Sequence, residues 1–412
     1  MLSARGWIVL ASGLFMWIAA RMVGSPTLHM VSVGILVVPI AAWVFVWRGR
    51  HRLVATRRLS ATSVGLGGHL SVEVEVEKKS ATTTSFVLVQ DAVPPALGRP
   101  ARLVLTGLPG HNTQRVRYSL ACRTRGRFSI GPLTATMSDP FALTRIELTF
   151  DERDEVVVLP EVEDLESGLP APFGAGQGRS LSRVLLPSGE DFYTMREYQI
   201  GDDLRRIHWP SVARRGRLMI RQDEASRRGQ AALFLDTRVS ALGSSGEPGF
   251  ERAVSAAASV SVLLSRAGFT VRLGIAGAPA VTLGGENVLE ELAQVRHTHQ
   301  MAMGAALVPM RSVAGADTTF VAVTAPPQAS EIPMLTRSGA AFGPKLAVLV
   351  YPLEPSVLPT SAQAELEGRA SVARLSLIRA GWEVVVLSPS TRLRDAWNAN
   401  RASRLSATAS SR

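Results

Sequence analysis

The stretch from Gly189 to Glu224 holds the densest group of side chains that could do chemistry. It reads GEDFYTMREYQIGDDLRRIHWPSVARRGRLMIRQDE and combines carboxylates and guanidinium groups with a histidine, tyrosines and a tryptophan. Guanidinium and carboxylate groups pair through two parallel hydrogen bonds, and arginine and aromatic side chains are favoured at protein interfaces. We call residues 189–230 the charged block and expect either a structural ion-pair network or a docking face for another protein.

The structural interpretation assigns a packing role to the apolar members of the charged block. Trp209 and Tyr198 would anchor it against an apolar surface and use their polar tips for hydrogen bonds. The segment RLMIRQDE is typical of a strand, with Leu218 and Ile220 facing inward. Arginine–carboxylate pairs would fasten the block to the edge of the sheet that follows it.

Catalysis is the alternative for the same residues. His208 near Asp202 or Asp203 resembles an acid–base pair, and such a pair would make the block the site of a hydrolase-like enzyme. However, no serine or cysteine nucleophile has an evident base and orienting group beside it. We therefore expect a non-enzymatic protein and keep a hydrolase-like enzyme as the alternative hypothesis.

Residues 231–400 must supply the framework behind the block. Apolar runs such as AALFLDT, FTVRLGIAG and KLAVLVYPL alternate with amphipathic segments such as ENVLEELAQVRHT. Continuous apolar strands alternating with helices are typical of an α/β doubly wound sheet that is covered on both faces. Ligands of such sheets collect at the carboxyl ends of the strands, where Asp236 follows the first strand.

Two further segments precede the block. Residues 55–150 contain short runs of alternating polarity, of which LSVEVEVEKK is the clearest, separated by Gly, Pro and Asn turns. This pattern predicts an antiparallel, Ig-like β-sandwich of six or seven strands. We expect residues 151–188 to form an acidic, Gly- and Pro-rich linker and residues 401–412 to form a disordered tail.

The first 50 residues indicate a membrane anchor. Two uncharged runs, Gly6–Ala20 and Met30–Trp47, are joined by the turn GSPT, and arginines follow the second run. We expect a two-helix transmembrane hairpin that contacts the bilayer through residues 6–47 and is not removed as a signal peptide. The positive-inside rule then places the N-terminus and all later domains in the cytoplasm, at the inner or plasma membrane.

The amino-acid composition argues against several classes of function and site. The formal net charge is +11, yet only three of the 45 basic residues are lysines, which indicates genome composition bias. No basic stripe interleaved with aromatic residues is evident, so we expect no nucleic-acid binding. The single cysteine, Cys122, excludes an internal disulfide framework and a multi-cysteine metal site.

The charged block resembles the signature of the domain of unknown function 58 (DUF 58) family. That signature commonly reads R-E-Y-x-x-G-D-D-x-R-x-I-x-W-x-x-(S/T)-A-R-x-x-x-L. The matching positions are Arg196, Glu197, Tyr198, Gly201, Asp202, Asp203, Arg205, Ile207, Trp209, Ala213, Arg214 and Leu218. Pro210 departs from it, since a basic residue usually follows the tryptophan. The resemblance implies a bacterial membrane-anchored protein of the cell envelope without established enzymatic activity, and a MoxR-type AAA+ ATPase as its partner.

The segment after the first α/β strand resembles the metal site of the von Willebrand factor A fold. In that fold the motif D-x-S-x-S begins the site, and here it reads Asp236-Thr237-Arg238-Val239-Ser240. Asp236 and Ser240 match, whereas Arg238 replaces the middle serine. A fixed guanidinium where a hydroxyl should help to hold Mg²⁺ argues against a divalent cation, so we expect no cofactor and a contact between Asp236 and Arg238 or the backbone.

Overall fold

The computed structural model describes residues 2–49, 53–78, 84–108, 113–165, 193–198, 207, 209–223, 229–283, 285–299 and 301–400. The chain divides into two compact units, Met1–Glu161 and Val162–Arg412. Most of the expected linker and the expected tail at residues 401–412 lie outside the described residues.

The first unit begins with two helices, α1 (Ala4–Val23) and α2 (Pro26–Gly49), and both are long and apolar enough to span a membrane. Ser3 caps α1, and Gly24 ends it in a left-handed conformation with φ of 71°. A β-carbon added at Gly13 would lie 3.0 Å from side-chain carbons of Ile35 and Leu36, so the two helices pack closely there. The 20 residues of α1 match the roughly 30 Å of a bilayer's hydrocarbon core.

The rest of the first unit is built from strands. Their bounds are β1 Leu53–Leu59, β2 Ser63–Gly65, β3 His69–Lys78, β4 Thr84–Asp91, β5 Ala101–Leu108, β6 Thr113–Ala121, β7 Gly126–Ile130, β8 Leu133–Ser138, β9 Arg145–Phe150 and β10 Asp154–Leu159. They form sheets of order β1-β3-β6, β2-β10-β7 and β5-β4-β8-β9. Alternate residues of the strands meet in one core, in which Val72 of β3, Val89 of β4 and Ala135 of β8 are fully buried.

Three details of this unit differ from the sequence-based expectation. Its described part contains ten strands, not six or seven. The pair β2–β10 is parallel, although the other pairs in the unit are antiparallel. The strand Asp154–Leu159 occupies part of the expected linker, because Val156 and Val158 bury their side chains in the core despite the acidic residues around them.

The second unit contains a six-stranded sheet of order β15-β14-β13-β16-β17-β18. Its strands are β13 Gln230–Leu235, β14 Thr270–Ile275, β15 Val281–Leu283, β16 Thr318–Thr324, β17 Lys345–Val350 and β18 Glu383–Leu387. All neighbouring strands are parallel except β15, which runs antiparallel to β14. A separate two-stranded sheet pairs β11 (Tyr193–Glu197) with β12 (Met219–Asp223).

The helices of the second unit are α3 Trp209–Arg215, α4 Val239–Leu242, α5 Pro248–Arg266, α6 Gly285–Gln294, α7 Met303–Ala306, α8 Val308–Arg311, α9 Ile332–Gly339 and α10 Thr360–Arg379. A 3₁₀ turn covers Pro355–Val357, and residues 393–400 are helical. Leu233 of β13 packs in a core with α5 and α6, whereas Phe234 packs in a second core with α9 and α10. Helices therefore cover both faces of the sheet, as the continuous apolar strands predicted.

Candidate functional site

The candidate site lies where the order of strands in the large sheet reverses. From β13 the chain continues to β14 on one side of the sheet and later returns to β16 on the other. In open α/β sheets this reversal leaves a crevice at the carboxyl ends of the two central strands. Asp236 follows β13, Thr324 ends β16, and the Thr324 hydroxyl donates a hydrogen bond of 2.7 Å to Asp236 Oδ2.

The Arg238 guanidinium fills the centre of this crevice. Its Nε and Nη2 donate to the two carboxylate oxygens of Asp236, both at 2.9 Å. Its Nη1 donates to Glu331 Oε1 at 2.6 Å. The side chains of Arg238 and Asp236 are 4% and 0% exposed. The expected contact between Asp236 and Arg238 is therefore confirmed, and the guanidinium lies between two carboxylates.

Electrostatics holds this arrangement in its charged form. Burial alone would lower the pKa of Arg238, because it disfavours the guanidinium cation. The hydrogen bonds and negative charges of Asp236 and Glu331 outweigh burial, so the pKa of Arg238 is raised above its ordinary value. Its neighbours thus favour the protonated form of Arg238, which is a cation that is covalently part of the chain.

A divalent cation has no open place at Asp236. Both of its carboxylate oxygens already accept hydrogen bonds, Oδ1 from Arg238 and Oδ2 from Arg238 and Thr324. Ser240, the other motif residue, is exposed on α4. Across the described parts of the chain, no three His, Cys, Asp or Glu side chains come together in a way that could hold a metal ion.

A second layer of polar residues holds the backbone around Arg238. Thr298 donates its backbone N–H to the Thr237 carbonyl oxygen at 2.6 Å, and the hydroxyls of Thr237 and Thr298 are hydrogen-bonded to each other. Val239 N–H donates to the Thr298 carbonyl oxygen at 3.0 Å. Thr298 follows α6 by only a few residues in a segment without a chemical motif, so its role could not be predicted from the sequence.

A pocket of about 270 Å³ opens beside Arg238. Its polar lining consists of Arg238, Ser240, Glu247, Gln328, Glu331 and Arg369. Arg369 projects from α10, and its Nε is buried without a hydrogen-bond partner. A buried donor without an acceptor is costly, which makes Arg369 the feature of this pocket that is suited to an anionic group. Nothing in the sequence distinguished it from a surface arginine of a helix.

The structure describes part of the charged block. Arg196 and Glu197 lie on β11, and Glu197 forms an exposed ion pair of 2.8 Å with Arg217. Tyr198 is half-buried, and its N–H donates to the Leu218 carbonyl oxygen at 2.9 Å. Ala213 and Arg214 are exposed on α3. The predicted residues Gly201, Asp202, Asp203, Arg205 and His208 lie outside the described residues.

Two expectations for the charged block are wrong. Leu218, which we expected to face inward, is 42% exposed, whereas its neighbour Met219 is 3% exposed. Neighbouring strand residues point to opposite faces, and an apolar run such as Leu-Met-Ile does not reveal which of them turns inward. Trp209 is 66% exposed and does not pack against an apolar surface as expected.

Part of this region matches a known protein family. Residues 194–289 match the family described as Protein of unknown function DUF58. The DUF58 match covers the charged block from β11 onward, together with Asp236 and Arg238. Glu331 and Arg369 lie beyond it, so the second carboxylate around Arg238 and the second arginine of the pocket come from chain outside the matched segment.

A curated relative matches about half of the chain. The uncharacterized protein YeaD of Bacillus subtilis (strain 168) is 26% identical over 223 residues, which are 52% of this chain and 54% of the relative. The chain thus spans about half the length of that relative.

Solved structures resemble smaller parts of the chain. The CARDB domain of the PF1109 protein from Pyrococcus furiosus matches with 13% identity and a TM-score of 0.19, covering 26% of this chain and 87% of its own. A β-glucosidase from Listeria innocua matches with 15% identity and a TM-score of 0.16, covering 24% of this chain and 16% of its own.

Proposed function

We propose that this protein is a membrane-anchored, non-enzymatic interaction module that presents its second unit to a protein partner in the cytoplasm. The observation that carries the proposal is the pocket at the carboxyl edge of the sheet. Its central cation is the chain's own Arg238, held by Asp236 and Glu331. A centre in which Arg238 is held by two carboxylates is suited to rigid recognition, and its three side chains offer neither a nucleophile nor an open metal position.

The architecture supports a finer assignment of the two units. Strand order β15-β14-β13-β16-β17-β18, an antiparallel β15 and an aspartate after the first strand favour a von Willebrand factor A-like second unit. Three sheets around one core favour an Ig-like sandwich in the first unit. In this proposal α1 and α2 cross the inner or plasma membrane, and the arginines that follow α2 place both units on the cytoplasmic side.

Arg369 is the residue that we expect to recognise the partner. Arg238 is held by two carboxylates, whereas Arg369 lines the same pocket and has a buried Nε without a hydrogen-bond partner. A carboxylate on the partner would accept two parallel hydrogen bonds from its guanidinium group. The exposed Trp209 adds a side chain of the kind that dominates protein interfaces. A MoxR-type AAA+ ATPase is the partner class that the family resemblance suggests.

Co-purification of the full chain from detergent tests this proposal. Arg369→Gln removes the charge and should lower partner recovery roughly 10-fold or more, the effect of losing a charge-assisted hydrogen bond of about 1.5–3 kcal/mol. Arg374→Gln is the matched control, because Arg374 is exposed on the same helix and does not line the pocket. Chelation of divalent cations should leave recovery unchanged. Equal recovery with Arg369→Gln and with the wild type would refute docking at this pocket.

A further inference from the structure

The loop Asp139–Thr144, which joins β8 to β9, is bound to the first turn of α1. The Ser3 N–H donates to the Leu143 carbonyl oxygen at 2.8 Å, and the Ser3 hydroxyl donates to the Ala142 carbonyl oxygen at 2.6 Å. A β-carbon added at Gly6 would lie 2.3 Å from the Leu143 oxygen, so only glycine allows the helix to approach this closely. The loop therefore has a fixed position along the axis of α1.

That position coincides with the start of the apolar run of α1. The uncharged stretch begins at Gly6, three residues after Ser3. At a rise of 1.5 Å per residue, Ser3 lies about 5 Å along the axis from the onset of the run. If α1 crosses a bilayer, the backbone bonded to Ser3 lies at the depth of the lipid headgroups.

The loop is held rigidly by Asp139. Its Oδ1 accepts a hydrogen bond of 2.9 Å from the Phe141 N–H, and its Oδ2 accepts one of 2.8 Å from the Thr144 hydroxyl. Burial opposes ionisation of this carboxyl, but the hydrogen bonds from Thr144, Leu143 and Phe141 outweigh it and lower the pKa of Asp139. The loop therefore keeps its shape, and the direction in which it presents Phe141, at neutral pH.

Phe141 is the largest apolar residue of the loop and is 69% exposed, whereas Leu143 is buried. An aromatic ring that a rigid loop turns outward is unfavourable in water and favourable at the boundary between headgroups and acyl chains. Two arginines close to this contact are exposed, Arg5 on α1 and Arg145 at the start of β9. Such cations are attracted to the anionic headgroups of the cytoplasmic leaflet.

We propose that Phe141 inserts into the headgroup region of the membrane that α1 and α2 cross, and that this loop is a third attachment of the first unit to the lipid surface. The inference rests on the proposed membrane anchoring. Its consequence is that the sandwich is held in one orientation on the bilayer and does not swivel about the helical hairpin.

Depth-dependent fluorescence quenching tests the proposal on the full chain in vesicles that contain anionic lipid. A polarity-sensitive probe is attached to Phe141→Cys, and quencher-labelled lipids are added. Cys122 is buried, so the wild type serves as the labelling blank. Asp151→Cys is the matched control, because Asp151 is exposed just beyond the far end of β9, about 20 Å from the loop.

We expect headgroup-region quenchers to quench the probe at position 141 at least twofold more than the probe at position 151. A third probe at Phe15→Cys, exposed in the middle of α1, reports on the anchoring itself. Quenching at position 15 by acyl-chain quenchers, together with equal quenching at 141 and 151, would overturn the loop contact alone. Absence of quenching at position 15 would overturn both the anchoring and the loop contact.

Discussion

At the scale of single residues, arginines with similar sequence surroundings have unlike roles. Arg57 on β1 is buried, and its Nε lies 3.0 Å from Asp91 Oδ2. Tyr118 donates its hydroxyl to the same oxygen at 2.6 Å. Arg58, which follows Arg57 in sequence, is exposed. Burial raises the pKa of Asp91, although the hydrogen bond from Tyr118 and the charge of Arg57 oppose it. Tyr118 and Arg57 therefore both favour the ionised form of Asp91.

Replacement of Arg57 should destabilise the first unit. Arg57→Met leaves the Asp91 carboxylate buried without its cation, a change that typically costs about 3–5 kcal/mol. Cys122 lies in the core of that unit. The reactivity of its thiol, followed as the denaturant concentration is raised, measures the loss in the free energy of unfolding. The matched variant Arg58→Met should change little. Because the pKa of Asp91 rises further in the variant, the loss should shrink as the pH falls and Asp91 takes up a proton. A loss that is independent of pH would contradict this explanation.

Arg238 leads to a prediction about cations. Arg238→Ser restores D-x-S-x-S and leaves Asp236 and Glu331 facing each other without a guanidinium group. We expect the variant to be destabilised by about 3–5 kcal/mol and to regain part of this with millimolar Mg²⁺, since a ligand of the native state stabilises it by mass action. Thermal unfolding with Mg²⁺ and with chelator measures this. The wild type and Arg266→Ser, a change in an exposed ion pair, should not respond to Mg²⁺.

The sequence revealed part of this residue-level chemistry. The contact between Asp236 and Arg238 could be predicted, because the two residues are adjacent in a motif and their charges are opposite. Glu331 and Arg369 could not, because they reach the pocket from helices that are distant in sequence. Arg57 could not be told from Arg58, since which face of β1 turns inward is set by its pairing with β3.

At the scale of elements, glycine marks where backbones approach closely. Gly249 begins α5 beside the end of β17, and a β-carbon there would lie 2.2 Å from the Pro352 carbonyl oxygen. Gly368 is also helical, on α10, but an added β-carbon meets nothing within 4 Å. The same substitution should therefore have opposite effects at the two positions.

Gly249→Ala should lower the stability of the second unit, because the backbone at Pro352 would have to move. Gly368→Ala should leave it unchanged or raise it by up to about 1 kcal/mol, the difference in helix propensity between the two residues. Chemical denaturation followed by the circular dichroism of the helices measures both. A stabilising Gly249→Ala would show that α5 moves freely relative to the sheet.

Elements were predicted well where the pattern is periodic. The strand β3 alternates apolar and charged residues, and its valines are buried while Glu73 and Glu75 are not. Gly268 and Gly381 follow α5 and α10 with φ of 82° and 79°, as expected of residues that end helices. The strand β10 was missed because its acidic residues resembled those of a linker. The exposure of Leu218 was missed because the residues that follow it, Met219 and Ile220, are apolar too.

At the scale of the whole molecule, charge and apolar helices predict different modes of membrane association. A net charge of +11 attracts the chain to anionic lipid, but salt screens that attraction. Two spanning helices hold the chain regardless of salt. We expect the full chain to stay with the membrane pellet after washes in high salt and at alkaline pH. A soluble marker protein controls for trapping, and release of the chain by salt alone would contradict the spanning hairpin.

Part of the overall architecture could be predicted from the sequence. The order of an apolar hairpin, strands and then alternating strands and helices follows from local periodicity. The strand order of the large sheet does not, because it depends on which side of β13 each later strand joins. That choice brings Thr324 and Glu331 to Asp236, so the composition of the site became visible only in three dimensions.

Val46, near the end of α2, is buried in the same core as the strands of the first unit. The end of α2 and the strands of the first unit therefore share one core. A change in bilayer thickness or lateral tension that tilts α2 would press directly on this core. If α2 crosses a bilayer, as proposed, the packing of the first unit would respond to the state of that membrane.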